Sequence, residues 1–195
     1  MASLSQSDGG KHRVAVILGS NIERESNIPA AARLLADAAT VVGVSTVYET
    51  SAVGAHAQPG YFNAVVLLET ELSPAELKDG LLSEIEQRLG RRRTADKFAP
   101  RTIDLDIVTY DDVSFDYIPA DGRPRHLPDS DLLRYPHTAV PVAELLPETV
   151  HPETGETYRA IAERLLAESA QHGYSITPRP DVDLRALLIS NSPNH

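Results

Sequence analysis

The chain has 195 residues, a formal net charge of −10 and no cysteine. That length suffices for one domain with a real core and no covalent staples, and the lack of cysteine rules out disulfides, thiolate metal sites and cysteine nucleophiles. No apolar run reaches the length of a membrane span, and the N-terminal stretch lacks the apolar segment of a signal peptide. A cytoplasmic protein with no membrane partner is expected.

The charge is unevenly placed. Residues 88–101 hold six cations (Arg88, Arg91, Arg92, Arg93, Lys97 and Arg101) against Asp96, a net +5, so the remainder carries −15. An acidic body with one basic patch argues against nucleic acid as a partner, because nucleic acid needs an extended basic surface. It suits a small anionic ligand held at one place.

In chain order, residues 1–11 read as a disordered tail. Residues 13–18 are apolar on both faces, as in a central strand, and Gly19-Ser20-Asn21 ends it. Ile28, Ala31, Leu34, Leu35 and Ala38 recur at helical spacing, which predicts a helix over 27–38. A strand rich in Val, Thr and Tyr is expected over 41–50, then a loop over 51–60 containing His56. Residues 61–70 alternate as a third strand. Tyr61 and Asn63, two residues apart beside that loop, suit stacking on and hydrogen bonding to a flat heterocycle, and equally suit ordinary strand packing.

Ser73-Pro74-Ala75-Glu76 combines an N-cap, a first-position proline and a capping-box glutamate. The helix it opens buries Leu77, Leu81, Leu82, Ile85 and Leu89 and stops at Gly90. Residues 91–100, polar with the single aromatic Phe98, read as a lid. In the strand expected over 103–110, Ile103, Leu105 and Ile107 point one way and Asp104 and Asp106 the other, placing two carboxylates on one face about 7 Å apart. Aspartate is a poor strand former. Paired carboxylates suit a hard divalent ion such as Mg²⁺, and neighbouring guanidinium forks suit phosphate oxygens.

Beyond this, a short strand is expected over 113–118, loop over 119–128 with Arg123, Arg125 and His126, helical turns over 131–135 and 142–146, and an amphipathic helix over 157–169. A C-terminal extension, 173–195, offers a strand at 174–177 and a helix at 183–189. A single domain over 12–172 is expected. The order strand, helix, strand, strand, helix, strand is the split βαβ, ferredoxin-like α+β arrangement, here with added C-terminal helices and a short extra hairpin. It predicts helices on one face of the sheet and the other face free for ligand, with Tyr61/Asn63 and Asp104/Asp106 on the same side.

The run Lys97-Phe98-Ala99-Pro100-Arg101-Thr102-Ile103-Asp104-Leu105-Asp106-Ile107-Val108 resembles the signature of the 6-hydroxymethyl-7,8-dihydropterin pyrophosphokinase family. Leu18-Gly19-Ser20-Asn21, Tyr48-Glu49-Thr50, Phe62-Asn63-Ala64-Val65 and Glu86-Gln87-Arg88-Leu89-Gly90-Arg91-Arg92-Arg93 stand around it in the family's order. The resemblance implies pyrophosphoryl transfer from ATP, the co-substrate, to the pterin's hydroxymethyl oxygen, with release of AMP. It implies that Asp104 and Asp106 hold two Mg²⁺ ions and that Arg91 and Arg101 neutralise charge on the transferred group. Arg93 and Phe98 would belong to the lid over ATP, and Glu86 and Ile107 to the nucleotide side. Thr50, Ser51, Val53, Tyr61 and Asn63 would form the pterin pocket.

The family pattern is altered in one segment. Pro128-Asp129-Ser130 stands where many members have a histidine pair. His137 takes the position of the second stacking aromatic, and Tyr135 that of an arginine, leaving Arg134 as the adjacent cation for the nucleotide and His126 as a replacement histidine. A Mg²⁺-dependent transferase acting on another hydroxymethyl heterocycle is the second reading. An RNA-binding module is the third, opposed by the acidic body and by the lack of paired strand aromatics. A monomer or weak homo-oligomer acting on small molecules is expected.

Overall fold

The computed structural model describes residues 10–50, 60–91 and 100–186. Most of the expected tail, loop and lid, and the last helix from 187 on, lie outside the described residues. β1 (His12–Ser20), α1 (Arg24–Ala38), β2 (Thr40–Val44), β3 (Tyr48–Thr50) and β4 (Tyr61–Thr70) come first. α2 (Pro74–Glu76) runs through a π-helical segment (Leu77–Leu82) into α3 (Ser83–Arg88), and β5 (Asp104–Tyr110) follows. The chain ends with β6 (Phe115–Tyr117), β7 (Arg125–Leu127), a 3₁₀ turn (Ser130–Leu133), α4 (Pro136–Leu145), α5 (Tyr158–Gln171) and β8 (Ile176–Pro178).

An antiparallel six-stranded sheet has the order β5-β1-β4-β3-β8, with β2 also pairing β4; β6 and β7 form a separate hairpin. On one face Val14, Val16, Leu18, Phe62, Ala64, Val66, Leu68, Leu105 and Ile107 meet Ile28, Leu35, Leu77, Leu82 and Ile85 from the helices. Among the described residues no helix is long and apolar enough to cross a membrane.

The opposite face departs from expectation. Ala15, Val65, Leu67 and Val108 carry a second core made with Leu132, Ala139, Val142, Tyr158, Ile161 and Leu165, so α4 and α5 cover part of the face expected to be free. The cause lies in the strands themselves: β1 and β4 are apolar on both faces at that end, and such surface must be covered. Toward Asp104, Asp106 and Asn63 the face stays polar.

Three further differences have local causes. The strand expected over 41–50 divides because its register against β4 shifts near Gly43, and Ser45 takes over the ladder, its N–H bonded to the Val65 carbonyl and its hydroxyl accepting from the Val65 N–H at 2.8 Å. Arg125–Leu127 is a strand rather than loop, paired with β6. The helical turn expected over 131–135 is the 3₁₀ turn Ser130–Leu133, whereas the one expected over 142–146 is the end of a full helix, α4, with Pro136 at its start and Pro141 inside it. The capping box is present as expected, with Ser73 N–H donating to Glu76 Oε2 at 2.9 Å and the Ser73 hydroxyl accepting from Glu76 N–H at 3.4 Å. Ser73→Ala should therefore lower unfolding free energy by about 1 kcal/mol in urea titrations.

Candidate active site

Directly paired residues on antiparallel strands share a face. Gly19 pairs with both Asp104 and Asn63, and Ile17 with both Asp106 and Val65. Asp104, Gly19 and Asn63 thus form one row across three strands, with Asp106, Ile17 and Val65 the next. The two aspartates and Asn63 lie on the same side, with Asp104 and Asn63 about 10 Å apart across the ladder. The chain needs no side chain at Gly19 to complete this floor.

Cations converge on the carboxylates. Arg91 holds Asp104 Oδ1 at 3.0 Å and donates to the Ile103 carbonyl at 2.9 Å, while Arg101 bonds Asp104 Oδ2. Lys78 holds Asp106 Oδ1 at 2.7 Å, and Arg125 reaches the same oxygen at 3.4 Å. Burial works against the Asp106 charge, but Lys78, then Arg125 and Arg91, outweigh it and keep this carboxyl below the usual range. The end of β1 and the residue after it hold the segment entering β5: Asn21 Oδ1 accepts from Arg101 N–H at 2.6 Å, and the Ser20 hydroxyl donates to the Thr102 carbonyl at 2.6 Å.

β5 is an edge strand, and side chains satisfy its outward backbone. Glu86, 3 % exposed, accepts the Leu105 N–H at 2.9 Å. Lys78, 5 % exposed, donates to the Leu105 carbonyl and lies 3.8 Å from Glu86. Burial raises the Glu86 carboxyl pKa, partly offset by Lys78 and the Leu105 N–H. Lys78 sits in the π-helical segment, whose extra residue per turn brings it closer to one line with Glu86 than eight residues of α-helix would.

The other expected positions fall as follows. Asn63 donates to the Thr50 hydroxyl at 3.1 Å, and Tyr61 pairs with Thr50 across the β3–β4 ladder. At the end of that ladder Gly60 is required, since a Cβ there would collide with the Thr50 carbonyl. His137 lies on α4, stacked on Tyr135 with ring centroids 5.3 Å apart, and its Nδ1 is 3.1 Å from the Tyr174 hydroxyl. Burial pushes the His137 imidazole down to about 4, so it is neutral at pH 7. Arg134 stands over the Tyr135 ring at 5.6 Å and has no contact with the carboxylate cluster among the described residues.

The Glu86 carboxylate accepts from the Leu105 N–H at the β5 edge, and the Ile107 side chain is buried in the helix-side core, opposite the aspartates. His126 bonds Asp116 and Glu153 at 2.7 and 2.9 Å, away from Asp104. Ser51, Val53, Arg93 and Phe98 lie outside the described residues, as does His56. Sequence reasoning missed Lys78, the contact of Arg125 with Asp106, and Tyr174. Lys78 had a usable signal, because it stands three, four and seven residues before Leu81, Leu82 and Ile85, on the buried stripe.

The sequence profile of the family described as 7,8-dihydro-6-hydroxymethylpterin-pyrophosphokinase matches residues 15–147. A pyrophosphokinase named for 2-amino-4-hydroxy-6-hydroxymethyldihydropteridine, from Synechocystis, is 35 % identical over 173 residues, covering 85 % of this chain and 83 % of that one. Its counterpart from Bacillus subtilis is 43 % identical over 98 residues, 49 % of this chain and 58 % of that one. The folic acid synthesis protein fol1 of Schizosaccharomyces pombe is 32 % identical over 84 % of this chain, which spans only 22 % of that longer protein. Among solved structures, HPPK-DHPS of Plasmodium falciparum superposes with a TM-score of 0.67 at 11 % identity, over 86 % of this chain and 46 % of that one, a likeness of fold alone. The matches define a pyrophosphokinase of folate synthesis. The chain belongs to the 7,8-dihydro-6-hydroxymethylpterin-pyrophosphokinase family.

Two outcomes follow from the site's charges. Lys78→Met leaves Glu86 and Asp106 without the cation between them and should cost roughly 3–5 kcal/mol, read by urea unfolding. The unfolded chain's imidazole takes up its proton near pH 6.5 whereas folded His137 holds out to about 4. The His137 contribution to stability is therefore intact above pH 6.5 and is lost as pH falls toward 4. Across that window His137→Phe should flatten the fall of unfolding free energy relative to wild type.

Proposed function

We propose that the chain transfers pyrophosphate from ATP to the hydroxymethyl oxygen of 6-hydroxymethyl-7,8-dihydropterin, releasing AMP, with Mg²⁺ as the divalent ion and a ferredoxin-like core as the scaffold. The observation that carries this reading is the row Asp104–Gly19–Asn63, which puts the arginine-bound Asp104 carboxylate about two strand spacings from the Asn63 carboxamide on one face. That spacing suits a phosphate chain in line with a hydroxymethyl group on a flat ring.

Asp104 and Asp106 supply hard oxygen donors. Among the described residues no group of three or more acids, histidines or cysteines gathers to hold a metal. This fits an ion that takes one or two carboxylates and completes its shell with phosphate and water. Bound there, Mg²⁺ would screen charge on the bridging phosphate oxygens. Arg91 and Arg101, converging on Asp104, offer fixed positive charge to the phosphoryl group in transit, and Lys78 and Arg125 hold Asp106 ionised and in place. Asn63 and Thr50 would grip the ring edge, with Tyr61 and His137 as stacking surfaces. Ser51 and Val53 would complete the pocket, and Arg93 and Phe98 the lid. Such a reaction draws its rate from positioning and charge stabilisation rather than covalent help.

The test incubates the full chain with ATP, Mg²⁺ and the reduced hydroxymethylpterin and follows nucleotide products by chromatography. AMP is expected; ADP, or no nucleotide product, overturns the reading. Arg101→Ala should lower turnover by about a hundredfold or more with little change in melting temperature, and an unimpaired variant removes Arg101 from the mechanism.

A further inference from the structure

Tyr174 belongs to none of the blocks that define the family resemblance, and the family match ends at residue 147. Its neighbours are nevertheless pocket residues. The hydroxyl lies 3.1 Å from His137 Nδ1. Thr50, whose hydroxyl accepts from Asn63 Nδ2 at 3.1 Å, stands on β3. The segment after α5 thus touches α4 and, through β8, lies beside the strand that carries Thr50.

The fold puts Tyr174 there by several independent constraints. Gly173, at φ 70°, turns the chain out of α5, and Tyr174 N–H donates back to the Ser169 carbonyl at 3.1 Å. β8 then pairs with β3, aligning Ile176 with Thr50. Arg179 secures this docking: its N–H donates to the Val47 carbonyl at 2.8 Å, its guanidinium holds Glu49 at 2.7 Å, and it lies 4.6 Å over the Phe62 ring. Arg24 lies over the same ring at 4.1 Å and holds the other Glu49 oxygen at 2.7 Å. The C-terminal segment is thereby locked to the strand that carries Thr50.

We infer that Tyr174 is a positioning residue of the pterin pocket, fixing the group that stacks on the ring (His137) from a segment docked beside the strand whose Thr50, with Asn63, reads the ring edge. The inference rests on the function proposed above and extends it to a part of the chain outside the family match. An imidazole has less stacking area than a phenyl ring and two tautomers, so a fixed orientation matters more for it. Tyr135 holds one face of the His137 ring and Tyr174 holds its Nδ1 edge. Preorganisation of this kind raises affinity by removing ordering cost on binding.

The experiment compares wild type, Tyr174→Phe, His137→Phe and the double variant as full chains. Fluorescence titration with 6-hydroxymethylpterin gives the pterin dissociation constant, and calorimetric titration with Mg²⁺ and a non-hydrolysable ATP analogue gives the nucleotide one. Tyr174→Phe should weaken pterin binding roughly tenfold, the scale of one hydrogen bond, with nucleotide affinity and melting temperature unchanged. In the His137→Phe background the same change should cost far less, because the two residues act as a unit. Nitrogen-15 spectra should show one His137 tautomer in wild type and a mixture in Tyr174→Phe. Equal pterin affinity for wild type and Tyr174→Phe, a matching loss of nucleotide affinity, or full additivity in the double variant overturns the inference alone. Failure of the wild-type chain to bind pterin overturns the functional reading, and this inference with it.

Discussion

Leu105 is the residue whose backbone the rest of the site depends on. It lies on the outer edge of the sheet, where an N–H and a C=O would ordinarily face water or another chain. Here the buried Glu86 carboxylate takes the N–H and the buried Lys78 ammonium takes the C=O, while Arg91 takes the carbonyl of Ile103. The helix that packs under the sheet therefore grips the rim of the strand from outside as well. Because Leu105 stands between Asp104 and Asp106, fixing its peptide groups fixes the direction of both carboxylates. Structural and functional charges are then one network. Lys78 neutralises Glu86 and orders Asp106, and Arg91 orders Ile103 and Asp104.

The same face of the sheet serves two purposes along its length. At one end Ala15, Leu67 and Val108 are covered by α4 and α5; at the other stand Asp104, Gly19 and Asn63, the row of the candidate site. The helix α4 is also the source of His137 and Glu144, with Tyr135 at its N-cap. Glu144 accepts from the Thr46 N–H at 3.0 Å and the Tyr48 hydroxyl at 3.1 Å, fastening α4 to the kinked region between β2 and β3. Covering half of the face thus supplies one wall of the proposed pocket on the other half. A rigid packed layer at that wall holds an aromatic pair more accurately than a loop would.

Much of this was legible from residue order. Alternation over 61–70 and over 103–110, and the cap at Ser73, are local signals that tertiary packing had no reason to override, and β4 has the expected bounds. The common side of Asp104 and Asn63 follows from alternation once strand order is known. Other features depended on distant partners. Ser45 interrupts its strand by bonding across to Val65, which no local pattern announces. Only a helical turn over 142–146 was expected where α4 runs; Pro136 sits where a missing N–H costs nothing, and the packed face outweighs the cost of Pro141. Tyr174 gains its meaning only from β8 lying beside β3, a pairing between residues more than a hundred positions apart. Lys78 was hidden by type: a lysine on an apolar stripe reads as a stray surface charge until its two acids are located.

Gly19 sets a dimension of the molecule by omission. It lies in the middle of the row between Asp104 and Asn63, and a lone methyl there would stand at ordinary van der Waals distance, 3.5 Å, from the Asn63 amide oxygen. The backbone itself therefore tolerates a methyl at Gly19. Any longer side chain would rise like a post from the middle of the row, leaving the sheet folded but the arginine-bound carboxylate screened from the carboxamide. Openness along that row, rather than the contacts at either end, is what this one missing side chain preserves.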